Sequence, residues 1–316
     1  MVFVSFFPQL VAGPIERSSR LLGQFYEKHR FSYDRTVRGL LLMLWGYFQK
    51  MVVADRLSVL VDQVFNYSSY YQGFTILVGA LFFAVQIYCD FAGYSTIAVG
   101  AAQIMGFDLM ENFHRPYFAV SVADFWRRWH ISMGTWFRDY VYIPLGGNKG
   151  GLAKQLRNIA IVWLLTGFWH GASWNFVLWG VYFGVLLVLE KLFLLRWLKR
   201  LPAVLRHIYA LVLVTISWTL FAFTEISKGA AWCKAMLSGV LFDSSSLYLL
   251  LTYGPMLAIC ALAATPLGKR FYEKLGTRLG QQALTVVDCG GLACVLVMAA
   301  AYLVSGSYNP FLYFRF

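Results

Sequence analysis

Long apolar segments are the feature that most constrains how this chain can fold. Residues 72–106, 158–189, 206–224, 247–264 and 283–304 are almost entirely apolar, and about 20 such residues are enough for a helix to cross a bilayer. Hydrophobic residues make up 59% of the chain and charged residues 13%, whereas soluble domains carry about 25% charged residues. A soluble protein of this composition would expose large apolar patches and aggregate. The sequence therefore predicts an all-α protein, a multi-pass bundle of transmembrane helices.

Two of the apolar segments are interrupted. Residues 72–106 contain YCDFAGYS, which predicts two short helices, or one long helix with a break near Asp90 and Gly93. Residues 158–189 are interrupted at WHGAS, about 12 residues into the segment, so His170 is expected at depth beside a helix break. Non-helical backbone at membrane depth occurs where it is buried in protein or lines a water-filled cavity. Broken or re-entrant helices are therefore expected.

Residues 107–156 have a different pattern. Arg, Trp and Tyr alternate closely there, and no apolar window of about 18 residues occurs, which predicts an amphipathic, interfacial or re-entrant region rather than a span. Since the chain has no repeat of fixed period and no soluble linker, residues 1–316 are expected to form one integral membrane domain.

The charge balance is strongly basic, with 27 Lys and Arg against 15 Asp and Glu. In a membrane protein this excess indicates basic cytoplasmic loops and contact with anionic head groups. The sequence carries no RNA- or DNA-binding motif, so no nucleic-acid partner is expected. The five cysteines show neither a CxxC pair nor zinc-ligand spacing, and no metal site is predicted.

His170 is the leading candidate functional residue, because an ionisable group within an apolar segment is costly and marks a functional site by default. Imidazole can accept and donate a proton near neutral pH, as activation of a hydroxyl for acyl transfer requires, and it can hold an acyl group transiently. The alternative is a structural histidine with a hydrogen bond across a helix pair. Residue chemistry alone leaves both open.

His130 and Asp90 are further candidates. His130 lies in DFWRRWHISMGTWFRDY, where Asp124 and Arg128 would form an i,i+4 pair on a helix. Its alternative role is in an interfacial helix anchored on head groups, and a catalytic role requires His130 and His170 to converge. Asp90 is an intramembrane charge that supports a site or proton path, or else neutralises an arginine or caps a broken helix.

Common catalytic motifs are missing from the sequence. It contains no GxSxG elbow, Walker loop, HExxH motif or Rossmann fingerprint in a credible context. The Gly-rich stretch LGGNKGG at 145–151 lacks the Walker lysine spacing and a preceding strand, which predicts a tight loop between helical pieces.

Five stretches resemble one known family. They are FFPQLVAGPIER (6–17), YCDFAGYSTIAVG (88–100), FWRRWHISMGTWFRDYVYIPLGGNKGG (125–151), TGFWHGASWNFVLWG (166–180) and NPFLYFRF (309–316). In this order they are similar to the membrane-bound O-acyltransferases (MBOAT), and most similar to the alginate-acetylating bacterial branch. IPLGGN resembles the polysaccharide-acetylating members more than the D-alanyl-transferring ones. The resemblance covers essentially the whole chain.

The resemblance implies a fold and a mechanism. Members of the family are helical bundles around a central channel in which a cytoplasmic acyl donor meets an acceptor from the other face. His170 matches the family's catalytic histidine and His130 its second characteristic histidine, expected to orient donor or acceptor. Arg127, Arg128 and Lys149 would offer charge to an anionic carrier such as coenzyme A, or serve as interface anchors.

The resemblance also implies substrates and partners. No bound cofactor is expected, and acetyl-CoA or another cytoplasmic acyl donor would be a substrate. The final acceptor would be an exported polysaccharide, alginate-like or another surface polymer, reached with a periplasmic or extracellular acetyltransferase partner. Asp90, Trp169 and Asn175 are expected to support the site or bind substrate. The expected location is the bacterial inner membrane.

Two other functions fit the composition equally well. One is a non-catalytic scaffold of a polymer-export complex, and the other is a transporter whose broken helices, Asp90 and His170 form a substrate or proton path. Family members usually have several spanning helices before the FFPQLVAGPI block, which begins at residue 6 here. The chain is therefore expected to be N-terminally truncated and to correspond to the C-terminal two-thirds of a typical member.

Overall fold

The computed structural model describes residues 2–10, 12–67, 70, 71, 73–236, 244–264 and 267–305. Every regular element in these ranges is helical, and the strand pairing within them is limited to one isolated antiparallel bridge between Phe113 and Trp129. The all-α prediction is confirmed. The stretch NPFLYFRF at 309–316 lies outside the described residues.

The helices follow one another with short connections. In chain order they are α1 (Val2–Ser5), α2 (Ser18–Phe25), α3 (Tyr33–Tyr47), α4 (Asp55–Asn66), α5 (Phe74–Ile104), α6 (Val122–Trp126), α7 (Ile131–Phe137), α8 (Gly151–His170), α9 (Trp174–Leu189), α10 (Leu195–Leu198), α11 (Ala203–Ala222), α12 (Ile226–Met236), α13 (Ser244–Ala264), α14 (Leu267–Arg278) and α15 (Gln281–Ser305). π-Helical segments extend three of them, at Phe48–Ala54 after α3, Arg138–Tyr142 after α7 and Glu190–Leu194 after α9.

Among the described residues, four helical segments are long and apolar enough to cross a membrane. They are Phe74–Ile104, Trp174–Leu198, Ala203–Ala222 and Gln282–Ser305. The last two correspond to the spans predicted at 206–224 and 283–304. The span predicted at 247–264 coincides with α13, whose described apolar part, Ser246–Cys260, is shorter than a span. The prediction of a multi-pass membrane protein agrees with these four segments.

The predicted interruption near Asp90 and Gly93 is wrong, because α5 runs unbroken for 31 residues. The carboxylate of Asp90 is neutralised without a helix break: Lys50 Nζ lies 2.5 Å from Asp90 Oδ1 and 2.8 Å from Asp55 Oδ1. Gly93 allows close packing, since a Cβ added there would lie 2.8 Å from the carbonyl oxygen of Gly46. Both residues that suggested a break thus make contacts with a neighbouring helix.

The described residues group into two compact units. Unit 1 contains those within Met1–Gln63, Val85–Glu111 and Ser244–Arg315, and unit 2 those within Val64–Ala84 and Asn112–Asp243. The division of the chain into a single membrane domain stays a prediction.

Unit 1 combines membrane-type helices with a small aromatic core. In it α15 packs against α3 and the π-helical segment that follows α3, and the guanidinium of Arg56 lies 4.0 Å from the ring centre of Tyr302. The rings of Phe6, Phe25 and Phe107 meet at centroid distances of 4.8 to 5.2 Å. The ion pairs of Lys50 belong to this unit.

Unit 2 is built around the hairpin of α8 and α9. The two backbones approach closely at Gly167 and Gly180, so that a Cβ added at Gly167 would lie 2.5 Å from the carbonyl oxygen of Phe176. Small residues permit this packing between membrane helices. On the other side α9 packs against α11, which buries Trp179 and Trp218.

The hairpin confirms the helix break at WHGAS and corrects its bounds. The helix before the break has 20 residues, beginning at Gly151 rather than about 12 residues before His170, because Gly150 adopts φ +90° and turns the chain into α8. The helix after the break extends past residue 189 to Leu198, because the charge of Glu190 is buried with hydrogen-bond partners rather than solvated.

The segment between α5 and α8 contains only short helical pieces, of 3 to 7 residues. Its prediction as a region that is not a span is confirmed. The stretch 145–151 is a tight loop, as predicted, with four glycines at positive φ, Gly146, Gly147, Gly150 and Gly151.

We expect Gly180→Ala to destabilise the protein by about 1–3 kcal/mol, because its methyl group would overlap the backbone of α8 at Trp163. Gly291→Ala in α15 is the matched control, since a Cβ there meets nothing within 4 Å and alanine is about 1 kcal/mol better than glycine in a helix. Thermal unfolding in detergent measures both. Equal melting temperatures for the two variants would contradict the close contact of α8 and α9.

Candidate active site

His170 is the last residue of α8, directly before the turn into α9. Its ring lies among four aromatic rings, at centroid distances of 4.9 Å to Trp169, 5.0 Å to Trp179, 5.3 Å to Phe221 and 6.2 Å to Phe176. The first three contacts are edge-to-face, an arrangement that aromatic rings favour. The residue as a whole is half-buried, but its Nε2 atom is shielded from solvent. The imidazole therefore sits in an aromatic pocket.

His130 immediately precedes α7 and is 4% exposed. Its φ of 45° and ψ of 54° lie in the left-handed region, which residues other than glycine rarely adopt. Such strain costs about 1–3 kcal/mol and persists where contacts enforce it, commonly at active sites. Two backbone hydrogen bonds hold the chain on either side of His130. The His114 N–H donates to the carbonyl oxygen of Arg128, and the Ile131 N–H donates to the carbonyl oxygen of Asn112.

The side chain of Asn112 links His130 to the first turn of α7. Its Oδ1 accepts hydrogen bonds from Ser132 Oγ at 2.6 Å and from the Ser132 N–H at 3.3 Å, and it lies 3.4 Å from His130 Nδ1. All three residues are buried, with Asn112 at 2% and Ser132 at 0% exposure. Buried polar groups that are mutually bonded hold their side chains in one geometry.

The two histidines come together around Trp169. The centroid of its ring lies 6.1 Å from that of His130 and 4.9 Å from that of His170. Burial lowers the pKa of His130 to about 3, with a further contribution from the nearby His170. His130 is therefore neutral at physiological pH, with one ring N–H and one nitrogen lone pair.

Arg127 and Arg128 both bind Asp124. Arg128 Nε lies 3.1 Å from Asp124 Oδ2, which confirms the predicted i,i+4 pair, and an Arg127 nitrogen lies 3.3 Å from Oδ1. Burial alone would raise the pKa of Asp124, but hydrogen bonds from Arg128 and from the Val120 N–H outweigh it and lower the pKa. The Arg127 side chain is 72% exposed and that of Arg128 28%, so Arg127 is the more available of the two.

Glu190 was missed by the sequence analysis. Its carboxylate accepts hydrogen bonds from the Val122 N–H at 2.7 Å, from the Ala123 N–H at 2.9 Å and from Tyr209 at 3.1 Å. The two N–H groups are unsatisfied donors at the start of α6, where a carboxylate is favourable. Glu190 thus fixes the helix that leads to His130. The sequence did contain a signal for Glu190, because an acidic residue directly follows the apolar segment 158–189.

The remaining predicted site residues fall into three places. Asn175, 2% exposed, donates from Nδ2 to the carbonyl oxygen of Phe221 at 3.1 Å and joins α9 to α11 beside the aromatic pocket. Lys149 is exposed in the glycine-rich loop. Asp90 belongs to unit 1, where it pairs with Lys50.

Asn112, Ser132 and Trp179 also escaped the sequence analysis. Asn112 lies 18 positions before His130 and 20 before Ser132, and no periodic pattern in the sequence marks the hydrogen bonds among these three residues. Trp179 lies nine residues after His170, a spacing that in an unbroken helix would not bring the rings together. The turn at Gly171–Ser173 reverses the chain and makes the contact.

The arrangement suits proton transfer away from bulk water. A neutral imidazole accepts a proton from a hydroxyl and returns it to a leaving group, and aromatic walls limit competing hydrolysis. Among the described residues, His, Cys, Asp and Glu side chains form no group of three or more able to hold a metal ion.

Comparison with known proteins gives one consistent family. The family model described as MBOAT, membrane-bound O-acyltransferase family, matches residues 1–228. The chain is 33% identical over 346 residues to the probable alginate O-acetylase AlgI of Azotobacter vinelandii, an alignment that covers 99% of this chain and 69% of that protein. It is 39% identical over 237 residues to the Pseudomonas aeruginosa protein of the same name, with coverage of 75% and 45%.

A peptidoglycan O-acetyltransferase of Helicobacter pylori is also similar, at 30% identity over 335 residues, which cover 100% of this chain and 64% of that protein. The chain thus spans between about half and two-thirds of the length of these relatives.

The buried neutral His130 predicts a pH dependence of stability. Unfolded histidine titrates near pH 6.5 and native His130 near 3, so between these values the unfolded state binds the extra proton. Stability contributed by this residue is complete above about pH 6.5 and falls with decreasing pH, by up to about 1.4 kcal/mol per pH unit. We expect His130→Gln to flatten the curve of unfolding free energy from pH 6.5 to 4. Parallel curves for the two proteins would contradict the buried, neutral state.

Proposed function

This chain belongs to the membrane-bound O-acyltransferase family, and we propose that it moves acetyl groups from a cytoplasmic donor across the membrane for O-acetylation of an exported polysaccharide. The family and the named relatives are O-acyltransferases, including acetyltransferases. For this chain, the acetyl group, its cytoplasmic donor and the polysaccharide acceptor are what we propose.

One observation carries the proposal. His130 and His170, which lie in separate sequence blocks 40 positions apart, both contact Trp169 in a pocket with aromatic walls. Two imidazoles in one aromatic pocket supply a proton acceptor and a second polar group that can orient a reactant. A histidine that merely bonded two helices would not need a second one beside it.

In the proposed reaction His170 is the general base. It takes the proton from the acceptor hydroxyl as that oxygen attacks the carbonyl carbon of a thioester donor. A carbon–oxygen bond forms, the carbon–sulfur bond breaks, and His170 returns the proton to the departing thiolate, so the products are an ester and a free thiol. A positioned base of this kind contributes about 10²–10⁴-fold in rate. His130 orients the donor or the acceptor, and the ring of Trp169 lies near both imidazoles.

The donor is proposed to be acetyl-CoA or another cytoplasmic acyl carrier. Arg127 is the best-placed cation for an anionic carrier, because its side chain is largely exposed while Arg128 is more buried against Asp124. Lys149 in the exposed glycine-rich loop is a second candidate. Arginine binds phosphate through paired N–H groups, whereas lysine acts as a point charge.

The acceptor is proposed to be a polymer outside the cytoplasm, because relatives are named for alginate and for peptidoglycan. This places the chain in the inner membrane of a bacterium, with a periplasmic or extracellular acetyltransferase as a partner in modifying the polymer. Asn175 supports the site by holding α9 to α11, and Asp90 acts as a structural charge in unit 1.

We expect His170→Ala to abolish O-acetylation of the exported polysaccharide when the protein replaces the homologue in a deletion strain, with a loss of about 10²–10⁴-fold in rate. The matched control is His207→Ala, since His207 bonds the Ala119 carbonyl in the same unit and is not part of the proposed site. Both proteins must reach the membrane in equal amounts, measured by immunoblot.

Three outcomes separate the possible functions. Loss of O-acetylation in His170→Ala but not in His207→Ala supports the enzymatic function. Full acetylation with His170→Ala, together with loss on deletion of the gene, would favour a scaffold of a polymer-export complex. Accumulation of a substrate across vesicles without any acyl transfer would favour a transporter.

A further inference from the structure

The amide of Asn112 has one orientation that its surroundings permit. The backbone N–H of Ser132 can only donate a hydrogen bond, and it points to the Asn112 amide atom 3.3 Å away. That atom must therefore be the oxygen Oδ1, because the opposite orientation would set an NH₂ group against an N–H. The Ser132 hydroxyl, at 2.6 Å from the same atom, is then a donor as well.

The orientation of this amide determines the tautomer of His130. Oδ1 also lies 3.4 Å from His130 Nδ1, and a carbonyl oxygen only accepts hydrogen bonds. Nδ1 therefore carries the ring proton. Since burial keeps the ring neutral, Nε2 carries the lone pair and can only accept. The second nitrogen of a histidine is commonly set in this way by the bond that the first one makes.

The backbone of Asn112 strengthens the same restraint. Its carbonyl oxygen accepts the Ile131 N–H at 3.0 Å, so one residue holds the chain on the far side of His130 through both its backbone and its side chain. This explains why His130 keeps its left-handed φ of 45°. The imidazole is thus fixed in position as well as in tautomer.

We infer that Asn112 is a positioning residue that makes His130 a hydrogen-bond acceptor, so that His130 holds the acceptor hydroxyl and not the donor thioester. An imidazole that accepts through Nε2 binds an O–H group, whereas a thioester carbonyl oxygen requires a donor. The inference rests on the proposed function, and it narrows the role of His130 from either reactant to the hydroxyl. His170 remains the group that takes the proton.

The first test measures acetyl transfer by purified protein in detergent, with acetyl-CoA as donor and an oligomannuronate as acceptor. We expect Asn112→Leu to reduce kcat/KM for the acceptor by about 10- to 100-fold, less than the roughly 10²–10⁴-fold that a positioned acid–base group itself contributes, because His130 is still present, with KM for acetyl-CoA unchanged. Ser132→Ala keeps the backbone N–H that orients the amide, so its loss should be smaller. If Asn112→Leu instead raised KM for acetyl-CoA as much as KM for the acceptor, the inference would be overturned and Asn112 would be a purely structural residue.

Asn112→Asp is the conservative variant. It keeps an acceptor oxygen beside Nδ1 and should recover part of the activity. Because its carboxylate favours the protonated imidazole, His130 would lose its accepting lone pair at a higher pH than in the native protein. The acid limb of the pH–rate profile should therefore move to higher pH. An unchanged profile would contradict a role for Asn112 through His130.

A second readout does not depend on activity. Nitrogen-15 NMR of histidine-labelled protein distinguishes protonated from unprotonated ring nitrogens, and the chain has only five histidines, so His130→Gln identifies the His130 signals. We expect Nδ1 protonated and Nε2 unprotonated, and a mixture of tautomers in Asn112→Leu. A proton on Nε2 in the native protein would overturn the inference even if transfer occurs. The expected tautomer without any transfer by the native protein would contradict the proposed function instead.

Discussion

The backbone contact between α8 and α9 at Gly167 and Gly180 is the constraint on which the candidate site depends. It brings the two helices close enough for the turn at Gly171–Ser173 to place His170 against Trp179, a residue of the returning helix. A side chain at either glycine would separate the helices and open the aromatic pocket. Because membrane helices gain little from the hydrophobic effect against lipid, such packing contacts carry much of their association.

Charges in apolar surroundings follow one rule in both units. In unit 1 Lys50 is held between Asp55 and Asp90, and in unit 2 Glu190 receives two backbone N–H groups and a tyrosine hydroxyl. Each charge is matched by a partner rather than by water, which is the condition for burying it. These residues organise helices, whereas His130 is held neutral by burial, close to His170.

Sequence patterns predicted the features that depend on local chemistry. Composition and apolar segments gave the helical membrane class, the WHGAS interruption gave the helix end at His170, and the i,i+4 spacing gave the pair of Asp124 and Arg128. The block resemblance indicated the family that the comparisons then showed.

Features that depend on distant partners could not be predicted. The break expected at Asp90 fails because Lys50, 40 residues earlier, neutralises the carboxylate. The left-handed backbone of His130 and its bond to Asn112 arise from pairing between residues 112–114 and 128–132, and a single sequence has no periodic signal for such a contact. Glu190 was missed for the same reason, since its partners lie near residues 122 and 209.

We propose that His130 and His170 form one catalytic site, and a double-mutant cycle on acetyl transfer would show whether they act together. The rates of His130→Ala, His170→Ala and the double variant would be compared with that of the native protein, each at matched membrane abundance. The effects of residues that act as a unit are strongly non-additive, so we expect the double variant to be little slower than His170→Ala. Losses that multiply, as for two independent residues, would contradict it.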